Sequence, residues 1–302
     1  MRRYHIAFAL VVFSGFLSGP APALAAATST PGVRIEKGIH YGPLPPETYD
    51  ACLPKGAGSP LPAVILIHGG TWQHGSAANL LSDGSCQFFA FHGIAAFAIN
   101  YRLYHRRTRA NRWPDQLVDA QLAVRFLRAQ ASLYNVDPNH ICALGESAGG
   151  HLALFLGSLD TPVAGDEASL YFGVSPKVSC VVDDFGPSDL VAMAAIPGEL
   201  VRYRALGQFF FGIPIADVTK AQWASVSPIT YLSGNSAATL VVQGNADTTV
   251  PPSQSQEVYD TLQKDGVATT YVSYNGGHGF SGVSPTALRR IGRKQARFIK
   301  NN

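Results

Sequence analysis

A serine flanked by glycines is the first candidate for chemistry in this sequence. Residues 145–149 (GESAG) follow the apolar segment 141–144 and precede a second apolar segment. The pattern predicts a strand, a sharp turn and a helix, because the glycines let the strand and the helix pass closely. The turn would raise the Ser147 hydroxyl above the sheet. It would also place Ser147 at a helix N-terminus, where free backbone N–H groups, the first being that of Ala148, favour developing negative charge.

A serine hydroxyl needs a base and a group that orients the base, because it is a poor nucleophile at neutral pH. His278 lies in the glycine-rich segment 275–280 (NGGHGF), which follows the last predicted strand and leaves the imidazole free to approach Ser147. Asp247 follows a predicted strand at 240–243, at the strand end where parallel sheets hold their sites. The chain order Ser147, Asp247, His278 is typical of catalytic triads carried on a mostly parallel sheet, and it predicts a triad here.

Other residues compete for two of these roles. His151 lies one helical turn beyond Ser147, and its position on a rigid helix favours packing or polar lining over proton transfer. Three aspartates follow the predicted strand 178–182 and compete with Asp247, namely Asp183, Asp184 and Asp189. Their loop leads into an irregular segment, which favours helix capping or loop fixation.

Residues 68–72 (HGGTW) follow the apolar segment 63–67. A site of this kind also needs donors for the oxyanion, and this segment can provide them. Their glycines allow backbone N–H groups to point towards the nucleophile. We expect the N–H groups of Gly70 and Thr71 to form an oxyanion hole together with that of Ala148.

The predicted elements that must position these residues alternate between strands and helices. Two edge strands are expected at 33–40 and 47–53, and the further strands at 63–67, 94–99, 141–144, 178–182, 240–243 and 269–274. Helices are expected at 77–92, 114–131, after Ser147, at 253–264 and at 285–299. This alternation predicts an α/β fold with a mostly parallel sheet and helices on both faces. Residues 189–227 lack a convincing strand and predict a small, aromatic-rich helical cap, which would either shape an apolar pocket or form its own small core.

The N-terminus has the three parts of a secretory signal peptide. Arg2 and Arg3 precede the apolar run 6–16, and Ala23-Leu24-Ala25 is a small-x-small cleavage pattern. We therefore expect a signal peptide at 1–25, cleavage near Ala25, one domain at 26–302 and a secreted or periplasmic protein. The apolar run is too short to span a bilayer comfortably, so no stable membrane insertion is expected.

Charge and composition exclude several partner classes. The formal net charge is only +3, and removing the two leader arginines lowers it further, so bulk charge indicates neither nucleic acid nor an anionic membrane surface as partner. The sequence has no metal-ligand spacing and no phosphate-binding glycine loop, and no cofactor is expected. A basic cluster follows the strand 94–99 and is interpreted as a solvated loop or as a rim for an anionic substrate: Arg102, His105, Arg106, Arg107, Arg109 and Arg112.

The four cysteines would lie in an oxidising compartment after export. Cys52 and Cys86 lie at element edges and are expected to pair. Cys142 and Cys180 lie inside apolar strand-like runs and are expected to be free, buried thiols.

The chain from residue 33 to its C-terminus resembles a known family. The resemblance rests on residues 68–72, 100–103 (NYRL), 145–151 (GESAGGH) and 276–280 (GGHGF). These segments are similar to those of alpha/beta-hydrolases of the esterase/lipase group, which includes relatives of hormone-sensitive lipase, kynurenine formamidase and bacterial carbohydrate and feruloyl esterases. The resemblance implies an alpha/beta-hydrolase fold, and it matches Ser147, Asp247 and His278 to the triad and Gly70, Thr71 and Ala148 to the oxyanion hole.

Two departures from the family pattern affect the expected specificity and tuning. Thr71 replaces the third glycine of the lipase-type loop, which moves the likeness towards the formamidase and carbohydrate-esterase branches. Gln243 and Asn245 stand where family members often carry histidine and an acidic residue.

Together these features predict an exported serine hydrolase that cleaves carboxylic esters of small acyl or aryl acids through an acyl-Ser147 intermediate. Its partner would be a small-molecule ester. Amide hydrolysis by a formamidase or peptidase is the nearest alternative, and an inactive binding or adhesion protein on the same fold is another.

Overall fold

The computed structural model describes residues 32–163, 170–196 and 204–302. The predicted signal peptide at 1–25 lies outside these residues, as does part of the predicted cap at 189–227. The domain boundaries and the cap boundaries therefore stay predictions.

Among the described residues, eight strands form one sheet in the order β1-β2-β4-β3-β5-β6-β7-β8. The strands are β1 (Val33–His40), β2 (Thr48–Pro54), β3 (Leu61–Ile67), β4 (Ala95–Ile99), β5 (Val136–Glu146), β6 (Cys180–Asp184), β7 (Ala238–Gly244) and β8 (Thr269–Tyr274). β2 pairs antiparallel with β1 and β4, and the remaining neighbours pair in parallel. The mostly parallel sheet confirms the predicted fold class.

Helices connect the strands, as the alternating pattern predicts. They are α1 (Ala77–Ser82), α2 (Ser85–Phe91), α3 (Asp115–Ala129), α4 (Ala148–Ser158), α5 (Leu190–Ala194), α6 (Arg204–Phe210), α7 (Lys220–Ser225), α8 (Pro252–Lys264) and α9 (Pro285–Asn301). The described part of 189–227 contains short helices and no strand, as expected for this segment.

The central strands are buried on both faces. In β3 and β4, the segments 63–67 and 95–99 are fully buried, which explains why their sequences are continuous apolar runs without alternation. α9 contacts β3 and β6, while α8 contacts β7 and β8. The sheet therefore carries the core from which the site loops project.

The single helix predicted at 77–92 is two helices, so that prediction is wrong. α1 ends at Ser82, and Gly84 has a left-handed backbone with φ of 87°. The Asp83 carboxylate accepts the N–H of Ser85, the first residue of α2, at 2.8 Å. A glycine with positive φ and an aspartate turn interrupt the helical hydrogen bonding that the apolar periodicity alone suggests.

One of the two cysteine predictions is confirmed and the other is wrong. Cys52 and Cys86 form a disulfide, as expected. Cys142 and Cys180 also form one, so the prediction of free thiols is wrong. These two cysteines are register partners on the neighbouring strands β5 and β6, with Cα atoms 4.6 Å apart, which is within disulfide range.

No helix within the described ranges is both long enough and apolar enough to span a bilayer.

Candidate active site

Ser147 lies at the end of β5, immediately before α4, with φ of 54° and ψ of −115°. A left-handed φ is costly for a serine and is found where surrounding structure enforces it. The flanking glycines show how it is enforced: a Cβ at Gly145 would lie 2.0 Å from the Gly149 oxygen, and one at Gly149 would lie 2.1 Å from the Ile67 oxygen. Only glycine fits at both positions, so the turn after β5 projects the Ser147 side chain from the sheet.

The structure brings the three residues of the predicted triad together. His278 Nε2 is 2.9 Å from Ser147 Oγ, and His278 Nδ1 is 2.7 Å from Asp247 Oδ2. The loops that carry the aspartate and the histidine are tied by the Ala246 N–H, which donates to the Gly276 oxygen at 3.0 Å. This arrangement can pass a proton from the serine to the imidazole while the carboxylate holds the ring.

Asp247 is buried and surrounded by donors. Its Oδ1 accepts the N–H groups of Thr249 and Val250 at 2.8 and 3.0 Å, and its Oδ2 accepts Gln243 Nε2 at 3.2 Å. Burial alone would raise the pKa of Asp247, but the hydrogen bonds from His278 and the two backbone N–H groups outweigh it and lower the pKa below its usual value. The carboxylate is therefore held ionised beside the imidazole.

Gln243 is a site residue whose role the sequence did not reveal. Besides contacting Asp247, its side chain accepts the Ser255 hydroxyl at 2.8 Å and is fully buried. The sequence signals were its position four residues before Asp247 and its departure from the family pattern, and neither indicated a contact with the triad aspartate. Asn245, the other departure from the family pattern, bonds Asn275 Oδ1 at 2.8 Å and so links the two loops rather than touching the triad.

The loop predicted to form the oxyanion hole has an unusual backbone. Gly70, Thr71 and Trp72 all have positive φ, at 111°, 53° and 58°. A Cβ at the preceding Gly69 would lie 3.4 Å from Ser147 Cβ, so the loop runs beside the nucleophile. The Gly70 and Thr71 N–H groups donate to no acceptor among the described residues, which leaves them available to a ligand. Successive N–H groups in a turn of this kind form an anion-binding concavity.

His151 has a packing role, as its position on a helix favours. It is fully buried, and its Nε2 is 2.9 Å from the Val226 oxygen. The rings of Trp72, Trp113 and Phe155 surround it with centroids 5.0 to 5.3 Å away. Burial lowers the pKa of His151 to about 4, so the ring is neutral in this apolar setting.

The aspartates that compete with Asp247 are engaged elsewhere. Asp189 caps α5 by accepting the N–H groups of its first turn, which is one of the two roles expected from the sequence. Asp183 accepts the Gly186 N–H, and Asp184 accepts Gln295 Nε2. Within the described ranges, none of the three is hydrogen-bonded to His278.

A cavity of about 520 Å³ lies against the loop that follows His278. Glu146, Asp184 and Phe280 line it. Burial and the nearby Asp83 raise the pKa of Glu146 to about 7. This carboxyl group, which is part of the GESAG segment, is therefore only partly ionised at neutral pH.

The basic cluster after β4 separates into two parts. Arg102 is held by Asp119, whose Oδ1 accepts Arg102 Nε at 2.9 Å and Nη2 at 2.6 Å. This contact holds the segment that follows β4, so Arg102 has a structural role. Arg106, Arg107 and Arg109 lie exposed in the following loop, in keeping with the interpretation of a solvated loop.

Among the residues that the structure describes, no group of three or more His, Cys, Asp or Glu side chains could hold a metal ion.

The family described as BD-FAE matches residues 49–262, which is well over half of the chain and includes Ser147 and Asp247. The chain belongs to the BD-FAE family.

Curated relatives of this BD-FAE member are named as esterases. Esterase LipC of Mycobacterium tuberculosis (strain ATCC 25618 / H37Rv) is 28% identical over 87% of this chain and 66% of its own length. Isoprenylcysteine alpha-carbonyl methylesterase ICME of Arabidopsis thaliana is 25% identical over 80% of this chain and 56% of its own length. The chain thus spans about half to two thirds of the length of such relatives.

Two solved esterase structures have a similar fold. A truncated carbohydrate esterase from gut microbiota aligns with a TM-score of 0.75 and 26% identity, covering 92% of this chain and all of that one. Est2 of Thermogutta terrifontis, a thermophilic esterase with butyrate bound, aligns with a TM-score of 0.71 and 24% identity over 89% of this chain and 94% of its own. These matches confirm the alpha/beta-hydrolase fold and the resemblance to the esterase group.

Proposed function

We propose that this BD-FAE member is an exported serine hydrolase that cleaves carboxylic esters of small acyl or aryl acids. The observation that carries the proposal is the hydrogen-bond chain from Asp247 through His278 to Ser147, at 2.7 and 2.9 Å. The printed names of Esterase LipC and of the carbohydrate esterase structure support ester cleavage as the reaction.

The first half of the reaction forms an acyl-enzyme. His278 Nε2 accepts the Ser147 Oγ proton as Oγ bonds to the ester carbonyl carbon, and the carbonyl oxygen becomes an oxyanion facing the N–H groups of Gly70, Thr71 and Ala148. The ionised Asp247 stabilises the imidazolium and fixes its tautomer. The bond from the carbonyl carbon to the alcohol oxygen then breaks, and His278 gives its proton to the departing alcohol.

The second half releases the acid. A water molecule loses a proton to His278 Nε2 while its oxygen bonds to the acyl carbon, and the same N–H groups hold the second oxyanion. The bond from the acyl carbon to Ser147 Oγ breaks, and Oγ regains the proton from His278. The enzyme returns to its starting state without a cofactor.

Packing near the nucleophile argues for small acyl groups. We call the rings around His151 the aromatic wall: Trp72, Trp113, Phe155 and Phe210. Trp72 and Phe210 are 3% and 5% exposed, and Trp72 stacks on Phe209 of α6 with centroids 5.4 Å apart. These buried side chains fill the volume around His151, one helical turn from Ser147, and this packing supports an acyl site of limited size.

Export is supported by the cysteines. All four are paired in disulfides, and disulfides persist in oxidising compartments. Together with the leader-like N-terminus, this supports a secreted or periplasmic location.

A substrate panel on the purified protein tests the reaction. The panel contains p-nitrophenyl esters of increasing acyl length, acetylated and feruloylated sugars, and N-formyl amides. We expect turnover of the short esters and labelling by a fluorophosphonate probe. The Ser147→Ala variant should lose both while melting at nearly the wild-type temperature, because only one hydroxyl is removed. Turnover of the N-formyl amides alone would replace the ester proposal, and Ser147→Ala with substantial turnover would remove Ser147 as the nucleophile.

A further inference from the structure

The C-terminal helix α9 presents two unlike faces. One face packs on the molecule through Ile291, Gln295, Ala296 and Ile299, which are buried. The other carries the basic stripe, which we define as six exposed side chains: Arg289, Arg290, Arg293, Lys294, Arg297 and Lys300. The helix sequence contains no acidic residue.

Repulsion within the basic stripe is not relieved by neighbouring side chains. Like charges four residues apart, such as Arg289 with Arg293 and Arg290 with Lys294, destabilise a helix. Within the described ranges, no ion pair joins a stripe cation to a carboxylate. An anionic surface from outside the molecule would relieve this repulsion.

The concentration of charge on α9 is hidden in the whole-chain average. Lys and Arg together exceed Asp and Glu by only three, at 23 against 20. Since α9 holds six of these cations, the rest of the chain has more acidic than basic residues. The small net charge therefore argues against general attraction to anions but not against attraction at this one face.

The shape of the stripe fits a planar partner. At about 100° per residue, the six side chains span an arc of about 140°, and they extend about 16 Å along the helix axis. A single extended anionic polymer would contact one row of such a face. A plane of anionic groups can be reached by all six, because Arg and Lys side chains are long and flexible.

An exposed aromatic residue, Phe91, directly precedes a residue that shares a surface hollow with the stripe. His92 shares a surface hollow with Arg293, Arg297 and Lys300, and the adjacent Phe91 is 57% exposed. Basic residues together with exposed aromatic residues are typical of protein surfaces that rest in the headgroup region of a bilayer.

We propose that the basic stripe docks the protein on a membrane surface of anionic lipids. The guanidinium and ammonium groups would donate to headgroup phosphates, and Phe91 would enter the interfacial layer. Such binding is peripheral and salt-dependent, since it depends on exposed charges.

Vesicle co-sedimentation of the purified full chain tests this proposal. The measured quantity is the gain in binding when phosphatidylglycerol is added to phosphatidylcholine vesicles. We expect a gain at low salt that disappears at high salt. Neutralising three stripe residues, in the variant Arg290→Gln/Arg293→Gln/Lys294→Gln, should weaken binding on the order of a hundredfold, because each cation contributes separately.

A matched control removes the same charge elsewhere. The variant Arg106→Gln/Arg107→Gln/Arg109→Gln neutralises three exposed arginines in the loop after β4 and should keep the wild-type gain. Phe91→Ser should weaken binding without changing charge. Turnover of a soluble ester verifies that each variant is folded. A wild-type protein that binds the vesicles but does not hydrolyse esters would contradict the proposed hydrolase activity and leave the membrane proposal standing.

Three results would overturn the proposal. The first is equal loss of the phosphatidylglycerol-dependent gain in the stripe variant and in the control. The second is no gain for the wild type. The third is stripe-dependent binding of a soluble polyanion such as polygalacturonate without binding to the vesicles, which would make the partner a polysaccharide.

Discussion

His278 Nδ1 lies 2.7 Å from Asp247 Oδ2, although 31 residues separate them along the chain. β8 lies between their two loops, and parallel pairing of β7 with β8 brings both loops to the same end of the sheet. The Ala246 N–H to Gly276 oxygen bond holds the loops at this spacing. The aspartate is thus oriented by backbone contacts before any substrate binds.

Asp247→Asn should cut turnover about a thousandfold or more. The Thr249 and Val250 N–H groups require an oxygen at the Oδ1 position, so the new amide nitrogen would face His278 Nδ1. The imidazole would then accept a hydrogen bond at Nδ1 and carry its own proton on Nε2. Nε2 must be unprotonated to accept the Ser147 proton, so the ring could not act as the base. Steady-state kinetics on a short ester measure this loss.

Asp184→Asn is the matched comparison, because Asp184 also lies at a strand end but bonds Gln295 rather than His278. It should change stability more than turnover. An inactive Asp184→Asn beside a nearly wild-type Asp247→Asn would show that the triad assignment is wrong.

Activity should rise between pH 5 and pH 8. The imidazole of His278 must be neutral to accept the Ser147 proton. Asp247 does not cause this rise, because its pKa is lowered and it stays ionised across the range. Initial rates at constant ionic strength test this expectation, and a flat profile with chemistry rate-limiting would contradict it.

Asp183 should make the protein less stable as pH rises. Burial raises the pKa of Asp183 from its usual 3.8 to about 7, and its Oδ2 has no hydrogen-bond partner among the described residues. The folded state therefore holds a proton that the unfolded chain releases, so this stabilisation is complete below pH 4 and is lost as pH rises through 7.

The effect of Asp183 can be isolated by substitution. Asp183→Asn should reduce the fall in unfolding free energy between pH 5 and pH 8 by on the order of a few kcal/mol. Urea denaturation at both pH values measures it, with the helix-capping Asp189→Asn as the control. An unchanged pH dependence in Asp183→Asn would mean that Asp183 is ionised throughout.

The two disulfides should stabilise the protein to a similar extent. They join cysteines 34 and 38 residues apart, and in the chain-entropy model each closure contributes about 4 kcal/mol. The paired variants Cys52→Ala/Cys86→Ala and Cys142→Ala/Cys180→Ala should therefore melt at similarly lowered temperatures. Alkylation of denatured, unreduced protein should label no cysteine; labelling at Cys142 and Cys180 would restore the prediction that they are free.

Features that depend on nearby residues could be predicted from the sequence. Gly145 and Gly149 flank Ser147 closely enough to indicate a strained turn, and the apolar runs of β3 and β4 indicate strands covered on both faces. The chain order of Ser147, Asp247 and His278 then led to the residues that the structure brings into contact. Their catalytic roles stay a prediction.

Features that depend on which elements become neighbours were decided by the tertiary structure. Cys142 and Cys180 pair because β5 and β6 are adjacent and in register, and burial in an apolar strand indicated only that each was inside. Gln243 became part of the site because the turn after β7 folds Asp247 back onto its side chain. The stripe on α9 became one charged surface because the opposite face of the helix is buried. Sequence patterns report short-range preferences, whereas these contacts depend on the packing of segments that are distant along the chain.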